Sequence, residues 1–347
     1  IFSSGTGDVT FNVGGNFSVS NGVFNMSNND AAVGTVNLTG NFTHTGGTIR
    51  EIALNTGNFN FLTGTHSFTS GGTVTGDINF VVNSGATLNM GTSTMSGNAF
   101  TLSNGGTLGI GSPNGITTAP TASGNIQTTT RTYNTGANYT YNGTANQATG
   151  NGLPATINNL TIDNTGGAGN NIVTLGASHT VNGVLTFTNG NIATGANSII
   201  LPVAATVSGA GTGKYVNGNV QRAFTAGSPT FTFPIGDGSN YAPVDLTFTG
   251  ITTGGDVTAS TTASDCAGSS GIDTAKSVNH CWTLTNSGTV FTSYSPTFNF
   301  VGVGTDADAG ANTANFIVRR FSGGTWSATT NGTRTATSTQ TTGVTAM

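Results

Sequence analysis

The chain has 347 residues, of which 54 are Gly, 67 are Thr and 41 are Asn, and charged residues make up only 6 % of it. Because Gly, Thr and Asn are poor helix formers, this composition excludes an α-helical protein. A net charge of −4 with only eight Lys and Arg residues, and the absence of any apolar run near the roughly 20 residues of a membrane helix, predict neither a nucleic-acid partner nor membrane insertion.

Residues 1 to about 215 contain short segments in which apolar residues alternate with Asn or Thr. This period of two is typical of half-buried strands. Gly and Asn-Gly turns separate the segments, since both residue types accept a positive φ. The predicted strands include residues 9–13, 36–38, 58–61, 78–82, 87–90 and 184–187.

A weak repeat of Gly-Asn-Phe begins at residues 15, 40 and 57. Irregular spacing near 20 residues indicates a β-solenoid with variable loops. Residues 78–130 and 164–213 contain no charged side chain, and uncharged Asn and Thr can stack in ladders without repulsion. An antiparallel barrel or sandwich would also give short strands, but rarely so many without charged outer faces. We therefore predict an all-β fold with a parallel β-solenoid over residues 1–219, interrupted by an irregular excursion at about 112–132.

The composition changes near residue 220, after which most of the Arg and Asp, both Cys and both Trp occur. Longer alternating segments predict strands at 230–233, 244–248, 282–284, 297–301 and 315–318. These segments favour an immunoglobulin-like antiparallel β-sandwich over residues 220–347. We expect Cys266 and Cys281 to form a disulfide that closes a Gly/Ser-rich loop, the alternative being two buried free thiols.

Several strings carry a resemblance to a known group of proteins. Residues 146–154 read NQATGNGLP before INNLTI at 157–162, and YVNGNVQR at 215–222 leads to FTFPIGD at 231–237; CWTL at 281–284 and DAGANTANF at 308–316 complete the set. Over roughly residues 135–345 the chain resembles large secreted, adhesin-like surface proteins of Bacteroidota. Such proteins resemble cargo of the type IX secretion system, so the resemblance implies an extracellular or cell-surface location. It also implies O-glycosylation at Thr274, which lies in an Asp-Thr-Ala sequence.

Candidate catalytic residues are few in the solenoid region. Glycoside hydrolysis usually needs two carboxylates about 5–10 Å apart. The carboxylates available in this region are those of Asp8, Asp30, Glu51, Asp77 and Asp163, and the arginines are Arg50 and Arg131. Because Arg50 and Glu51 are adjacent, they would point to opposite faces of a strand. We predict that the protein is not an enzyme and needs no cofactor, with a β-helix carbohydrate-active enzyme as the remote alternative.

One segment near the C-terminus resembles half of a calcium loop. Asp306, Asp308 and Asn312 place side-chain oxygens near alternate positions, although the Glu that closes an EF-hand is missing. The alternative is a solvated Asp/Gly hairpin. These three residues are the candidate metal ligands, and calcium is the candidate ion.

The predicted architecture favours a structural role outside the cell. A solenoid ends in coils with unpaired backbone groups, which invite pairing with another chain. Head-to-tail contact of that end with the sandwich of the next copy would propagate as a filament. We therefore expect a subunit of a cell-surface filament or fibre whose partners are copies of itself. The alternative is a cell-surface adhesin that binds a glycan or a host protein through loops of the sandwich.

Overall fold

A computed structural model describes residues 6–28, 30–52, 55–118, 123–268 and 270–347. The chain divides into two compact units, Ile1–Gly176 and Ala177–Met347. The structure confirms an all-β fold, with a parallel solenoid of about ten turns followed by antiparallel sheets. Among the described residues the one helical element is a 3₁₀ turn, Thr313–Asn315. No helix of this described part is long and apolar enough to span a membrane.

The first unit contains the strands β1 to β19. They are β1 Val9–Val13, β2 Phe17–Val19, β3 Val23–Asn25, β4 Gly34–Leu38, β5 Phe42–His44, β6 Thr48–Arg50, β7 Gly57–Phe61, β8 Gly64–Ser70, β9 Thr73–Thr75, β10 Ile78–Val82, β11 Ala86–Asn89, β12 Ala99–Leu102, β13 Thr107–Ile110, β14 Thr130–Tyr133, β15 Asn138–Tyr141, β16 Gln147–Ala148, β17 Thr156–Ile157, β18 Leu160–Asp163 and β19 Ile172–Thr174.

The second unit contains the strands β20 to β34. They are β20 His179–Val181, β21 Val184–Asn189, β22 Asn191–Leu201, β23 Thr206–Ser208, β24 Val216–Phe224, β25 Thr230–Phe233, β26 Ile235–Gly236, β27 Val244–Thr253, β28 Gly255–Thr262, β29 Cys281–Ser287, β30 Val290–Asn299, β31 Arg319–Ser322, β32 Thr325–Ala328, β33 Thr330–Arg334 and β34 Ser338–Thr342.

Three parallel sheets run along the coils of the first unit, and the strands β16 and β19 form a further parallel pair. Within this unit the strand orders of the three sheets are β1-β4-β7-β10-β12-β14, β2-β5-β8-β11-β13-β15-β18 and β3-β6-β9. Consecutive strands of one sheet are separated in sequence by the strands of the other sheets, which is the connectivity of a solenoid. The predicted strands at 9–13, 36–38, 58–61 and 78–82 lie in β1, β4, β7 and β10 of a single sheet.

Aromatic side chains form part of the core of this unit, together with aliphatic ones. Phe59, Phe80 and Phe100 stand in register on β7, β10 and β12, and each is at most 1 % exposed. The rings of Phe59 and Phe80 stack with their centroids 5.6 Å apart. Burial of each such side chain contributes roughly 1.5–3 kcal/mol, so the alternating apolar positions hold the coils together.

The Gly-Asn-Phe repeat is only partly structural. Phe17 and Phe42 are register partners, as the spacing of the first two copies predicts. The next partner of Phe42 is Phe68, whereas Gly57 of the third copy pairs with Gly34 in a different sheet. The prediction that the third copy continues the repeat is therefore wrong, because the same tripeptide occurs on two different faces of the coil.

Asparagine ladders run along the outer face of the first sheet. The side-chain amide of Asn37 donates to Oδ1 of Asn12 at 2.8 Å, and the amide of Asn60 donates to Oδ1 of Asn37 at 2.9 Å. The three residues are register partners on β1, β4 and β7. A second ladder joins Asn58, Asn79 and Asn98. The predicted stacking of uncharged polar residues is thus present.

The irregular excursion at about 112–132 interrupts the coils. The register partners Ala99 and Thr130 are 31 residues apart, whereas Asn79 and Ala99 are 20 residues apart. Residues 119–122 of this predicted excursion lie outside the described residues. Strand β14 begins at Thr130 and returns the chain to the first sheet.

The second unit begins with parallel strands and ends with antiparallel ones. Strand β24 pairs in parallel with β22 along one edge and antiparallel with β28 along the other, through Val220–Phe224. The predicted boundary at 219/220 falls within this strand. The sheet continues to β29 and faces a second sheet of order β25-β27-β30-β34-β33. The ring centroids of Phe224 and Phe248, which belong to the two different sheets, are 4.9 Å apart. The predicted sandwich is therefore confirmed, while its immunoglobulin-like topology stays a prediction.

One predicted strand, at 315–318, is wrong. The side chain of Asn312 accepts a hydrogen bond from the Ala314 N–H and begins the 3₁₀ turn Thr313–Asn315. Phe316 then packs against Phe300 with centroids 5.7 Å apart, and the next strand begins only at Arg319. The local cap therefore overrides the alternating pattern.

Candidate ligand-binding site

A cavity of about 520 Å³ lies within the second unit. Both tryptophans of the chain, Trp282 and Trp326, line it. Phe298, Phe300 and Phe316 add further apolar wall. Ligand cavities are typically about 300–1,000 Å³ and mostly apolar with a few polar groups, so this cavity has the size and lining of a small-molecule site.

Two strands of the sandwich fix one aromatic wall. Trp282 is on β29 and Phe298 is on β30, and their rings lie 5.1 Å apart. The indole N–H of Trp282 donates to the carbonyl oxygen of Ala242 at 2.9 Å, which sets the orientation of the ring. Both side chains are only half-buried, so part of each ring surface faces the cavity.

A hairpin formed by β31 and β32 supplies another part of the lining. It carries Arg319 and Trp326, and within the described residues it pairs with no other strand. Its turn is Gly323-Gly324, with φ of 58° and 81°. Two consecutive positive φ values require glycine-like freedom and are typical of a tight two-residue turn. Arg319 pairs with Ala328 and Phe321 with Trp326, so Arg319 and Trp326 lie on the same face of the hairpin.

The Arg319 guanidinium differs from those of the other arginines. Each of the others donates a hydrogen bond to an oxygen of the protein; they are Arg50, Arg131, Arg222, Arg320 and Arg334. No hydrogen bond or ion pair of Arg319 is present in the described part of the chain. Its Nε is buried without a partner, as are those of Arg131 and Arg222, but these two arginines donate through their Nη atoms. A Cβ at Gly271 would lie 3.3 Å from Cζ of Arg319, so the backbone passes close to this group. A guanidinium without a hydrogen-bond partner in the protein favours the binding of a ligand that supplies an acceptor.

The other charged groups that line the cavity already have partners. Oδ1 of Asp265 accepts from Oγ of Ser277 at 2.8 Å, and Oδ1 of Asp273 accepts from the Ala275 N–H at 3.0 Å. Nζ of Lys276 donates to the carbonyl oxygen of Ala309 at 3.0 Å. Arg319 is therefore the charged lining group with the most unused hydrogen-bonding capacity.

The predicted disulfide between Cys266 and Cys281 is confirmed. Their Cα atoms are 4.9 Å apart, and the bond closes a loop with a sequence separation of 15 residues. Cys266 lines the cavity, and Cys281 begins β29 next to Trp282. The bond thus ties the Gly/Ser-rich loop to the strand that carries the aromatic wall.

A buried histidine between two carboxylates is also among the lining residues. Nε2 of His280 is 2.9 Å from Oδ2 of Asp306, and Nδ1 is 3.2 Å from Oδ2 of Asp237. The first contact is a hydrogen bond, whereas the second has ion-pair distance without hydrogen-bond alignment. The cluster connects the turn after β26, the start of β29 and the loop after β30.

The pKa of Asp306 results from opposing effects. Burial alone would raise the pKa. The hydrogen bonds from His280 and from the N–H groups of Val301 and Gly302, together with the charge of His280, outweigh burial and lower the pKa below its usual value. Asp306 therefore holds the loop after β30 as an ionised acceptor.

The structure gives the three candidate calcium ligands separate partners. Oδ2 of Asp308 accepts from the Ser277 N–H at 2.8 Å, while Asp306 is bound to His280 and Asn312 caps the 3₁₀ turn. Among the described residues no group of three or more His, Cys, Asp or Glu side chains could hold a metal ion. The segment is a loop clamped onto residues 277–279, and calcium binding stays a prediction.

None of the remaining candidate residues is among those that line the cavity. Thr274 is exposed in a turn, a position that an O-glycan could reach, and its modification stays a prediction. In the solenoid, Oδ1 of Asp8 accepts from the Val33 N–H at 2.8 Å, and Glu51 is 4 % exposed. Asp8 is thus engaged in joining neighbouring coils.

Sequence reasoning missed the cavity, the Arg319 side chain and the His280 cluster. The signal that could have indicated them is the concentration of both Trp and most of the Arg and Asp after residue 220. No protein-family model matches the chain, and no curated protein or solved structure matches it either.

Proposed function

We propose that the chain is an extracellular structural protein, a subunit of a cell-surface filament or fibre that assembles head-to-tail with copies of itself. The observation that carries the proposal is the strand edge of the first described coil. In the described part of the chain, β1, β2 and β3 each pair with one strand only. An open strand edge is a template for pairing with another chain.

The hydrogen-bonding groups at this edge can be assigned for β1. The Val9 N–H donates to the Val33 carbonyl, and the Val13 carbonyl accepts from the Thr39 N–H, so the odd-numbered residues face β4. Because backbone groups alternate along a strand, those of Thr10 and Asn12 point away from β4. Strand β1 carries no charged residue that would discourage pairing.

A second open edge could accept this one. Strand β29, Cys281–Ser287, ends its sheet, is largely exposed and carries no charge. Pairing of β1 of one copy with such an edge of the next would be a heterologous contact, which propagates when it does not close. The disulfide supports an oxidising, extracellular compartment. The likeness in sequence to Bacteroidota surface proteins supports a cell-surface location and export as type IX secretion cargo.

Substitution of Thr10 tests whether the open edge of β1 pairs with another copy of the chain. Thr10→Pro removes the outward N–H and leaves the bonds of Val9 to the neighbouring coil in place, since proline is tolerated on edge strands. The matched control is Thr10→Val, which keeps the N–H. We expect light scattering and sedimentation to show concentration-dependent assembly of the wild type and of Thr10→Val, and loss of assembly for Thr10→Pro. Equal assembly of both variants would exclude this edge.

A second candidate function, a cell-surface adhesin, is favoured by the cavity. Its two half-buried tryptophans and its unpartnered Arg319 are features of a ligand site. Saccharides present both a flat C–H face for aromatic rings and hydroxyls for polar groups. Screening of the protein on immobilised glycans, with Trp326→Ala as the cavity variant, tests this candidate. Binding that Trp326→Ala retains in full would place the adhesive surface elsewhere.

A further inference from the structure

We infer that the cavity of the second unit binds an acidic saccharide, with the carboxylate of a hexuronate residue on Arg319 and the pyranose ring against Trp282 and Trp326. This inference rests on the second candidate function, glycan binding. It adds the class of sugar and the residue that selects it.

The carboxylate is assigned from the unused hydrogen-bonding capacity of Arg319. The other five arginines all donate to protein oxygens, whereas Arg319 makes no hydrogen bond within the described residues and lines the cavity. A guanidinium matches a carboxylate through two parallel hydrogen bonds, a geometry that an ammonium group cannot reproduce. An acidic ligand would supply the acceptors that the protein does not.

The saccharide ring is assigned from the remaining lining. Trp282 and Trp326 present half-buried ring surfaces, which suit the apolar C–H face of a pyranose. Asp265, Asp273 and Asn312 also line the cavity and offer oxygen acceptors for hydroxyl donors. These acceptors disfavour a ligand with several carboxylates in the cavity, such as an acidic peptide. A uronate residue, with one carboxylate and several hydroxyls, fits both sets of groups.

The test compares uronate trisaccharides with their methyl esters, which keep the skeleton and remove the charge. Trimers of galacturonate, glucuronate and mannuronate are titrated into the full chain by calorimetry, and tryptophan fluorescence gives a second readout because both tryptophans line the cavity. We expect at least one acid to bind about tenfold or more tightly than its ester. A charge-assisted hydrogen bond of about 1.5–3 kcal/mol corresponds to a factor of this size.

Arg319→Gln is expected to lower the affinity for the acid to that for the ester, and Arg319→Lys is expected to restore it only in part. The matched control is Arg320→Gln, one residue along the same strand, whose guanidinium donates to the Ala346 carbonyl. This control should leave the affinity unchanged. Trp326→Ala should weaken the acid and the ester alike. Because Arg319 makes no hydrogen bond in the described part, its replacement should leave the unfolding midpoint unchanged.

The outcomes separate the inference from the function on which it rests. Equal affinity for acids and esters, or unchanged binding by Arg319→Gln, would overturn the inference and leave glycan binding standing. No binding of any saccharide would overturn both. Binding of a peptide with a C-terminal Glu in place of the saccharides would also overturn the inference, since it would assign Arg319 to a protein ligand.

Discussion

The side-chain amide of Asn60 donates a hydrogen bond to Oδ1 of Asn37 at 2.9 Å, from one coil of the solenoid to the preceding coil. Asn37 in turn donates to Asn12, so a single side chain is donor and acceptor in the same ladder. Asparagine is suited to this position because its amide carries both functions and no charge. The ladder explains how the chain forms stacked coils with only 6 % charged residues.

Replacement of Asn37 by Asp should weaken the ladder. The carboxylate can still accept from Asn60, but it cannot donate to Asn12, so two acceptors would face each other. We expect Asn37→Asp to lower the free energy of unfolding by about 1 kcal/mol, the net contribution of one hydrogen bond. Far-UV circular dichroism in urea measures this. The control is Asn21→Asp, since Oδ1 of Asn21 only accepts, from the Gly22 N–H; an equal loss for both variants would contradict the ladder.

Substitution of Gly72 tests how neighbouring coils pack against each other. A Cβ at this position would lie 2.0 Å from Nε2 of His44, which is buried and stacks on Phe42. We expect Gly72→Ala to reduce the stability of the first unit by about 1–3 kcal/mol, the usual cost of overpacking. Gly14→Ala is the control, because no atom lies within 4 Å of its Cβ position. Equal urea midpoints for the two variants would argue against this packing.

Removal of the disulfide should destabilise the second unit. The bond spans 15 residues, and closure of a loop of that size contributes about 3 kcal/mol in the chain-entropy model. We expect the double variant Cys266→Ser, Cys281→Ser to unfold at a lower denaturant concentration. Tryptophan fluorescence reports this selectively, since both tryptophans lie in the second unit. Two free thiols in the oxidised native protein, found by mass spectrometry, would contradict the assignment.

Asp306 should make the stability of the second unit depend on pH in the acid range. Its pKa is lowered in the folded state from 3.8, so its stabilisation is complete above about pH 4 and is lost as the pH falls through the folded pKa. Asp306→Asn should therefore cost about 1.5–3 kcal/mol at pH 7, the range for hydrogen bonds to a charged group, and progressively less below pH 4.

Denaturation with tryptophan fluorescence at several pH values checks the prediction for Asp306. Asp256→Asn is the control, because the Asp256 carboxyl has no hydrogen bond among the described residues. A difference between wild type and Asp306→Asn that stays constant from pH 7 to pH 3 would show that ionisation of this carboxyl does not stabilise the fold.

The solenoid could be predicted because its determinants are local. Alternation such as that in Ile78–Val82 sets the buried face of a strand, and the long uncharged windows indicate stacking. The exact repeat could not be predicted, because the loops vary in length and Gly57 and Gly40 occur in similar tripeptides on different faces. Only the paired register distinguishes them.

The candidate site could be predicted much less completely. Oxygens at alternate positions, as in Asp306 and Asp308, suit a calcium ion and also suit main-chain N–H groups, and the sequence does not distinguish the two uses. The cavity combines segments that are distant in sequence, from Asp265 to Thr339. Its main feature is that Arg319 has no hydrogen-bond partner within the described residues. A local sequence pattern cannot predict this feature, because it emerges only by comparison with the contacts that the other arginines make in the folded chain.

The most direct test of the fibre proposal is electron microscopy of the purified chain at high concentration under oxidising conditions. We expect regular fibres with an axial repeat of one subunit, and no fibres for Thr10→Pro under the same conditions. Dispersed monomers for the wild type at every concentration would contradict the assembly.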